Sequence, residues 1–293
     1  MRFRGGRRPA RGLGLAGGPP APLPRALAWG IRGLRCLCGA GSVAGPMSGQ
    51  TIDPQTLLAA LPPLAPGGPV LEGRLAAAWA FLRAAALAAG PGRVAVAWTG
   101  GKDSTLALWL WRAVLAEVAP GARPRAVNLD TGCKFPQVLA FRDALAEAWG
   151  VDLHVARPGV DLEAYPVAVD KVACCRDLKV RPLAGAVAAL DIAVLITGVR
   201  ADEHPARAAR PAAEAHADPP HLRLAPLWHF GEFDIWAATL DHGLPCCALY
   251  GQGYRSLGCV PCTALPDPGA GERSGRDQDK ERHMEALRSL GYF

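Results

Sequence analysis

Val94-Ala95-Val96-Ala97-Trp98-Thr99-Gly100-Gly101-Lys102-Asp103-Ser104 joins a short apolar run to a pair of glycines and three polar residues. Its apolar, partly β-branched start has the length and composition of a buried parallel strand. It then breaks into two glycines and a helix-forming segment. Gly100 and Gly101 lack a Cβ, so the backbone there can take positive φ and approach a ligand closely. Asp103 or Ser104 can cap the helix that follows. Free N–H groups at a helix start, the positive end of its dipole and the Lys102 ammonium together favour phosphate, sulfate or pyrophosphate. An ordinary tight strand-to-helix turn needs no Lys, Asp and Ser in that order. The glycine spacing does not fit a Walker A loop, which keeps four residues between its glycines.

Working outward, Asp103 to Ala119 carries Leu106, Leu110 and Val114 at helical spacing, and Phe135 to Trp149 is again helical. Ala126 to Leu129, Val151 to Ala156 and Asp191 to Thr197 read as further strands. Strands alternating with helices predict an α/β fold: a Rossmann-like parallel sheet with helices on both faces and right-handed crossovers. Ligands of such sheets bind at the carboxyl ends of the strands. Thr99 to Ser104, Asp130 to Cys133 and Thr197 to Arg200 all fall on that rim. Upstream, Pro54 to Leu61 and Leu71 to Ala89 are helical, with Leu75, Trp79, Leu82 and Leu87 available for burial. Trp228, Phe233 and Trp236 read as scaffold.

The chain has 293 residues, half of them hydrophobic, enough for one large core. Its calculated pI is about 9.0, yet the charge is unevenly placed. Of 32 basic residues, eight Arg lie in residues 1–46, which hold no Asp or Glu; the other 24 face all 26 acidic residues. The basicity belongs to that Arg-, Gly- and Pro-rich tail, so no nucleic-acid partner is inferred for the folded part. The tail is expected to be disordered, since it cannot bury enough apolar surface to offset its ordering entropy. Its composition also suits an organellar transit peptide, and translation starting at Met47 is the simpler expectation. The expected organisation is a tail over 1–46, a helical segment over 47–90, a nucleotide-binding domain over 91–265 and a C-terminal tail over 266–293. No uncharged apolar run is long enough for a membrane span, and a soluble, cytoplasmic protein is expected.

Nine cysteines without a secretory signal favour metal or redox roles in a reducing compartment. Cys259-Val260-Pro261-Cys262 is a CxxC knuckle, half of a tetrahedral site. Cys174 and Cys175 can supply the other half. Four thiolates suit an iron–sulfur cluster or structural zinc equally well by spacing. Arg200 and Arg207 offer planar forks that match sulfate or phosphate. A solvated surface loop would read similarly there.

Several of these stretches resemble known families. Thr99 to Ser104 resembles the pyrophosphate loop of the adenine nucleotide alpha-hydrolase superfamily, with Thr in place of its first Ser. Leu129 to Phe135, followed by Phe141-Arg142-Asp143, is similar to the small subunit of ATP sulfurylase, and its Asp130-Thr131-Gly132 turn also occurs in adenylyl-sulfate and phosphoadenylyl-sulfate (PAPS) reductases. Cys133 departs from the aromatic residue of that turn. Thr197-Gly198-Val199-Arg200 with Glu203 and Arg207 resembles a segment of both groups, and Pro226-Leu227-Trp228 with Asp234-Ile235-Trp236 resembles a segment of the family. Cys174-Cys175 with Lys179 and Pro182-Leu183, and Tyr254 to Thr263, resemble the two halves of the reductases' [4Fe-4S] site. Glu272 to Phe293 instead resembles the tail of the ATP sulfurylase small subunit, and no cysteine follows Cys262 where assimilatory reductases carry their nucleophile.

The resemblance implies an adenine nucleotide held by Thr99, Gly100, Gly101, Lys102, Asp103, Ser104, Asp130, Thr131, Gly132, Arg200 and Arg207. Lys102 and Arg200 are the expected catalytic cations, Cys133 a candidate nucleophile, and Cys174, Cys175, Cys259 and Cys262 the ligands of a [4Fe-4S] cluster, with zinc as the alternative. The first expectation is a reductase converting adenylyl sulfate or PAPS to sulfite, with an external thiol donor such as thioredoxin or glutathione. The second is an ATP- and magnesium-dependent sulfate adenylyltransferase working with a GTPase-type large subunit. The third is a non-catalytic nucleotide-binding iron–sulfur or zinc protein.

Overall fold

The computed structural model describes residues 52–292. The disorder expected for residues 1–46 and a start at Met47 lie outside them. Two helices come first, α1 (Pro54–Ala60), capped by the Asp53 carboxylate, and α2 (Leu71–Ala89). Then β1 (Val94–Ala97) feeds α3 (Lys102–Val118), β2 (Arg125–Leu129) feeds α4 (Pro136–Ala148), and β3 (Asp152–Ala156) follows. After a loop, α5 (Lys171–Cys175) runs through a π-helical turn (Arg176–Val180) into α6 (Arg181–Ala189), ahead of β4 (Val194–Ile196). A short α7 (Pro205–Ala208) precedes the hairpin of β5 (Ala213–Ala217) and β6 (Pro220–Leu224). The chain ends with α8 (Glu232–Asp241), α9 (Gln278–Arg282) and α10 (Met284–Ser289).

The strands form one six-stranded sheet in the order β3-β2-β1-β4-β6-β5. Every pairing is parallel except that of the edge strand β5 with β6. Side chains alternate across it as the period of two requires. Val94 and Val96 point into a large core shared with α1, α2, α3 and α8, while Ala95, with Val127 and Leu195, packs against Ala186 and Val187 of α6 on the opposite face. The expected α/β fold with helices on both faces is present. Strand order reverses between β1 and β4, and at such a switch point the loops after the two strands open a crevice.

Beyond the four strands read from the sequence, residues 213–224 add a hairpin. Two expectations need correction. Leu87 is 48% exposed, on the outer face of α2. Phe233 is 84% exposed, and Phe230 and Ile235 fill the core in its stead. Among the described residues no helix is long and apolar enough to cross a membrane.

Candidate active site

The loop after β1 is built as its sequence demands at one position: Gly100 has φ +79°, in the region that favours glycine. The helix cap is Gly101, and no side chain caps it. Ser104 instead turns back: its Oγ accepts from the Thr99 amide at 3.2 Å and donates to the Gly101 carbonyl at 3.1 Å. Asp103 pairs with Arg200, its Oδ1 lying 2.7 Å from Nε. The loop after β4 comes against the same helix start so closely that a Cβ on Gly198 would lie 2.6 Å from the Ser104 nitrogen.

Lys102 is almost wholly buried. Its ammonium donates to Glu272, to Asp103 at 3.2 Å and to the Arg255 carbonyl at 3.1 Å. Burial opposes its charge, yet Asp103 and Glu272 prevail and raise its pKa. Arg200, fully buried, spreads its guanidinium over Asp103, Asp202 and Glu272. Glu203 is held well below the usual carboxylate range, at about 2: burial works against this, but Arg207, Arg273 and Arg200 outweigh it. The Asp130 side chain folds over its own turn, Oδ1 accepting from the Gly132 amide at 3.1 Å, with Arg142 and Arg157 each 3.8 Å away.

Beside this network lies a cavity of about 210 Å³. Thr99, Gly101 and Ser104 form one wall; Lys134, Lys179, Arg207, Arg223, Arg273 and Arg276 bring six cations to the others, against the carboxylates of Asp103 and Glu203. The Nε atoms of Arg223 and Arg276 are buried with no hydrogen-bond partner among the described residues. Tyr292 closes one end, its hydroxyl 2.7 Å from the Lys280 ammonium and 3.3 Å from that of Lys179. Burial alone would raise this phenol, but the two ammoniums bring it down to about 7.

The thiols gather behind Lys134 and Lys179. Thr131 Oγ1 lies 3.2 Å from Cys259 Sγ, and Lys134 and Cys259 form an isolated antiparallel bridge. Burial pushes the Cys259 thiol up, but Lys179, Lys134 and the Thr131 hydroxyl bring it down to about 6. Burial raises the thiols of Cys133, Cys174 and Cys262, and Cys259 feels all three electrostatically or is felt by them. Cys175 is buried, packed with Ala206, Met284 and Leu287, and Cys174, Lys179 and Tyr292 feel it electrostatically. This donor set fits a thiolate-ligated group in its chemistry. Among the described residues, however, no three His, Cys, Asp or Glu side chains stand in position to hold one metal ion.

A sequence profile of the phosphoadenosine phosphosulfate reductase domain matches residues 93–265. The chain belongs to that family. Similar relatives are the adenosine 5′-phosphosulfate reductases of Rhodococcus opacus, 31% identical over 168 residues (55% of this chain, 66% of the relative), and of Allochromatium vinosum, 34% over 150 residues (51% and 55%). That of Mycolicibacterium smegmatis is 33% identical over 173 residues (56% and 72%). The chain thus spans only 55% to 66% of the length of the first two. In fold, this family member is similar to Candida glabrata FMN adenylyltransferase in complex with FAD and inorganic pyrophosphate, with a TM-score of 0.55 at 18% identity over 69% of each chain.

Of the expected site residues, the structure brings Thr99, Gly101, Asp103, Ser104 and Arg207 to the cavity wall, and ties Lys102 and Arg200 into the carboxylate network behind it. Gly100, Asp130, Thr131, Gly132 and Cys133 sit on the same rim outside the wall. Lys134, Arg273 and Arg276 belong to stretches whose resemblance was visible, but nothing local marked them; Lys179 carries part of a resemblance but was not among the expected site residues. Arg223 and Tyr250 carry no sequence signal at all.

Proposed function

We propose that this reductase-family chain converts an adenylated sulfate, adenylyl sulfate or PAPS, to sulfite and the corresponding adenine nucleotide. One observation carries the reading: Lys134 and Lys179 face the cavity beside the Thr99 to Ser104 loop and are also the ammoniums that hold the Cys259 thiol down. An anion-binding cavity and a thiol cluster therefore share their cations. The partnerless Nε atoms of Arg223 and Arg276 suit the sulfate–phosphate end of the substrate.

In the reaction a thiolate attacks the substrate sulfur, and the bond from sulfur to the bridging oxygen breaks. The nucleotide leaves with that electron pair, its phosphate held by the cavity's cations, and a thiol S-sulfonate remains. A second thiol then attacks the sulfonated thiol's own sulfur, giving a disulfide and releasing sulfite, so the two thiols supply both electrons. An external donor such as thioredoxin or glutathione supplies the attacking thiol. Cys133 is a poorer candidate, because burial raises its thiol and it does not line the cavity. Cys174, Cys175, Cys259 and Cys262 are the residues that would hold a [4Fe-4S] cluster, or zinc in its place; a bound cluster would supply redox capacity and a fixed charge beside the cavity.

The complete Gly-Gly-Lys-Asp-Ser loop favours a second reading, an ATP sulfurylase-type adenylyl transfer with magnesium and a large GTPase-type partner. Anaerobically purified protein incubated with adenylyl sulfate or PAPS plus thiol, and separately with ATP plus sulfate, separates the two. Sulfite release is expected; pyrophosphate release without sulfite would replace the first reading by the second.

A further inference from the structure

A loop of this kind offers two things to a diphosphate, free amides and a free cation; here three of its amides are engaged within the protein and the cation is covered. The Thr99 amide donates to Ser104 Oγ at 3.2 Å, the Gly101 amide to Thr99 Oγ1 at 3.4 Å, and the Lys102 amide to the Tyr250 hydroxyl at 2.9 Å. The three protons of the Lys102 ammonium go to Glu272, Asp103 and the Arg255 carbonyl. Arg200 behind it is likewise covered by Asp103, Asp202 and Glu272. The side chains of Lys102, Arg200 and Glu272 are 1%, 0% and 10% exposed, so water screens these pairs little. Two cations thus face three carboxylates, and the cluster carries a net negative charge where the loop would otherwise attract an anion.

Asp103 is part of the loop itself, and Asp202 follows Arg200 by two residues. Asp103 and Glu272 each bridge both cations, and of the three carboxylates Glu272 alone comes from a distant segment. That segment is fixed in place. The Arg255 guanidinium donates to the Ala270 carbonyl, and Arg273 next to Glu272 pairs with Glu281 at 2.8 Å and Glu203 at 3.5 Å. A carboxylate anchored in this way acts as a built-in counter-ion. Because two like charges cannot share the site cheaply, it rejects a second anion.

Building on the reductase reading above, we infer that Glu272 determines specificity by closing the loop to diphosphates, so that ATP and pyrophosphate are excluded while the anionic end of an adenylated sulfate goes to the neighbouring cavity of Arg223 and Arg276. The loop keeps its residues but serves as a structural tie between α3, the segment after β4 and the C-terminal strap.

The test is calorimetric binding of inorganic pyrophosphate, and of AMP as a monophosphate reference, to wild type, Glu272→Gln and Glu272→Asp. Wild type is expected to bind pyrophosphate no better than AMP. Glu272→Gln removes the charge at nearly constant volume and should tighten pyrophosphate about tenfold or more with AMP affinity changed less than about threefold. Glu272→Asp keeps the charge and should behave as wild type. Tight pyrophosphate binding by wild type, which needs no variant to fold, would overturn the inference, as would a folded Glu272→Gln protein with no gain for pyrophosphate. Sulfite release from adenylyl sulfate is measured on the same wild-type preparation. Its absence would remove the reductase reading and leave the binding ratios to stand or fall on their own.

Discussion

At the scale of single residues, Lys102 and Glu272 are worth more to each other than to the solvent. A buried ion pair is a weak source of net stability, because desolvation consumes much of its Coulomb gain, but a buried charge that loses its partner is costly. Lys102→Met leaves Glu272 facing Arg200 alone and Asp103 with one cation fewer, and should lower unfolding free energy by about 3–5 kcal/mol in urea titrations. The double variant Lys102→Met/Glu272→Leu removes both charges and should recover most of that loss. Additive losses in the double-mutant cycle would show that the two side chains do not interact. The notion of Lys102 as a freely offered cation comes from reading the loop in isolation. Its sequence dictates the turn, the glycine with positive φ and the packing of the helix start. It says nothing of the Glu and Tyr that arrive from 170 and 148 positions further on.

At the scale of elements, the β5–β6 hairpin shows what the sequence conceals. Ala213-Glu214-Ala215-His216-Ala217 alternates as a strand should, but with alanine as its apolar partner the pattern resembles a polar loop; only pairing with Leu222 and Leu224 makes it a strand. Of the five parallel strands, β1 to β4 carry short apolar runs and are legible. Phe233 is the opposite error, an aromatic residue on the outward face of a helix whose inward face is Ile235 and Ala238. The hairpin also makes a prediction of its own. The His216 and His221 rings stack at 4.8 Å, and burial, helped by Arg223 and only partly opposed by the Pro219 carbonyl, lowers the His221 pKa to about 4. A histidine whose pKa is lower in the folded state than in the unfolded chain contributes stability that is full above about pH 6.5 and is lost as pH falls toward 4. Near pH 5 the loss from His221 is about 2 kcal/mol. Melting temperature should therefore drop between pH 7 and 5, and His221→Phe, which retains the stacked ring, should lessen that slope, with the rest due to His216, whose pKa burial lowers to about 3. An identical slope in the variant would place the acid sensitivity elsewhere.

At the scale of the whole molecule, the C-terminal strap joins parts that the chain order keeps far apart. Glu272 ties it to the loop after β1, Arg273 to Glu203 beyond β4, and Lys171 on α5 pairs with Asp277 at 3.0 Å. Met284 and Leu287 of α10 then pack on Cys175, while the Tyr292 hydroxyl reaches Lys179 in the π-helical turn. Elements of this kind, short and held by a few buried side chains, lie at the low-stability end of a fold and open before the sheet does. In protein stripped of any thiolate-bound metal or cluster, the thiol of Cys175 should accordingly report the docking of α10. Leu287, wholly buried, truncated to alanine loses its apolar contact and leaves a void worth about 2–5 kcal/mol to the packing it supports. If that packing is local to the strap, labelling of Cys175 by a thiol reagent should accelerate by an order of magnitude or more under native conditions, while the main urea transition, set by the sheet and its two helical layers, stays in place. A rate that is unchanged, or that rises only in step with global unfolding, would mean that the strap and the sheet open as one unit and that Glu272 cannot leave the loop without the fold.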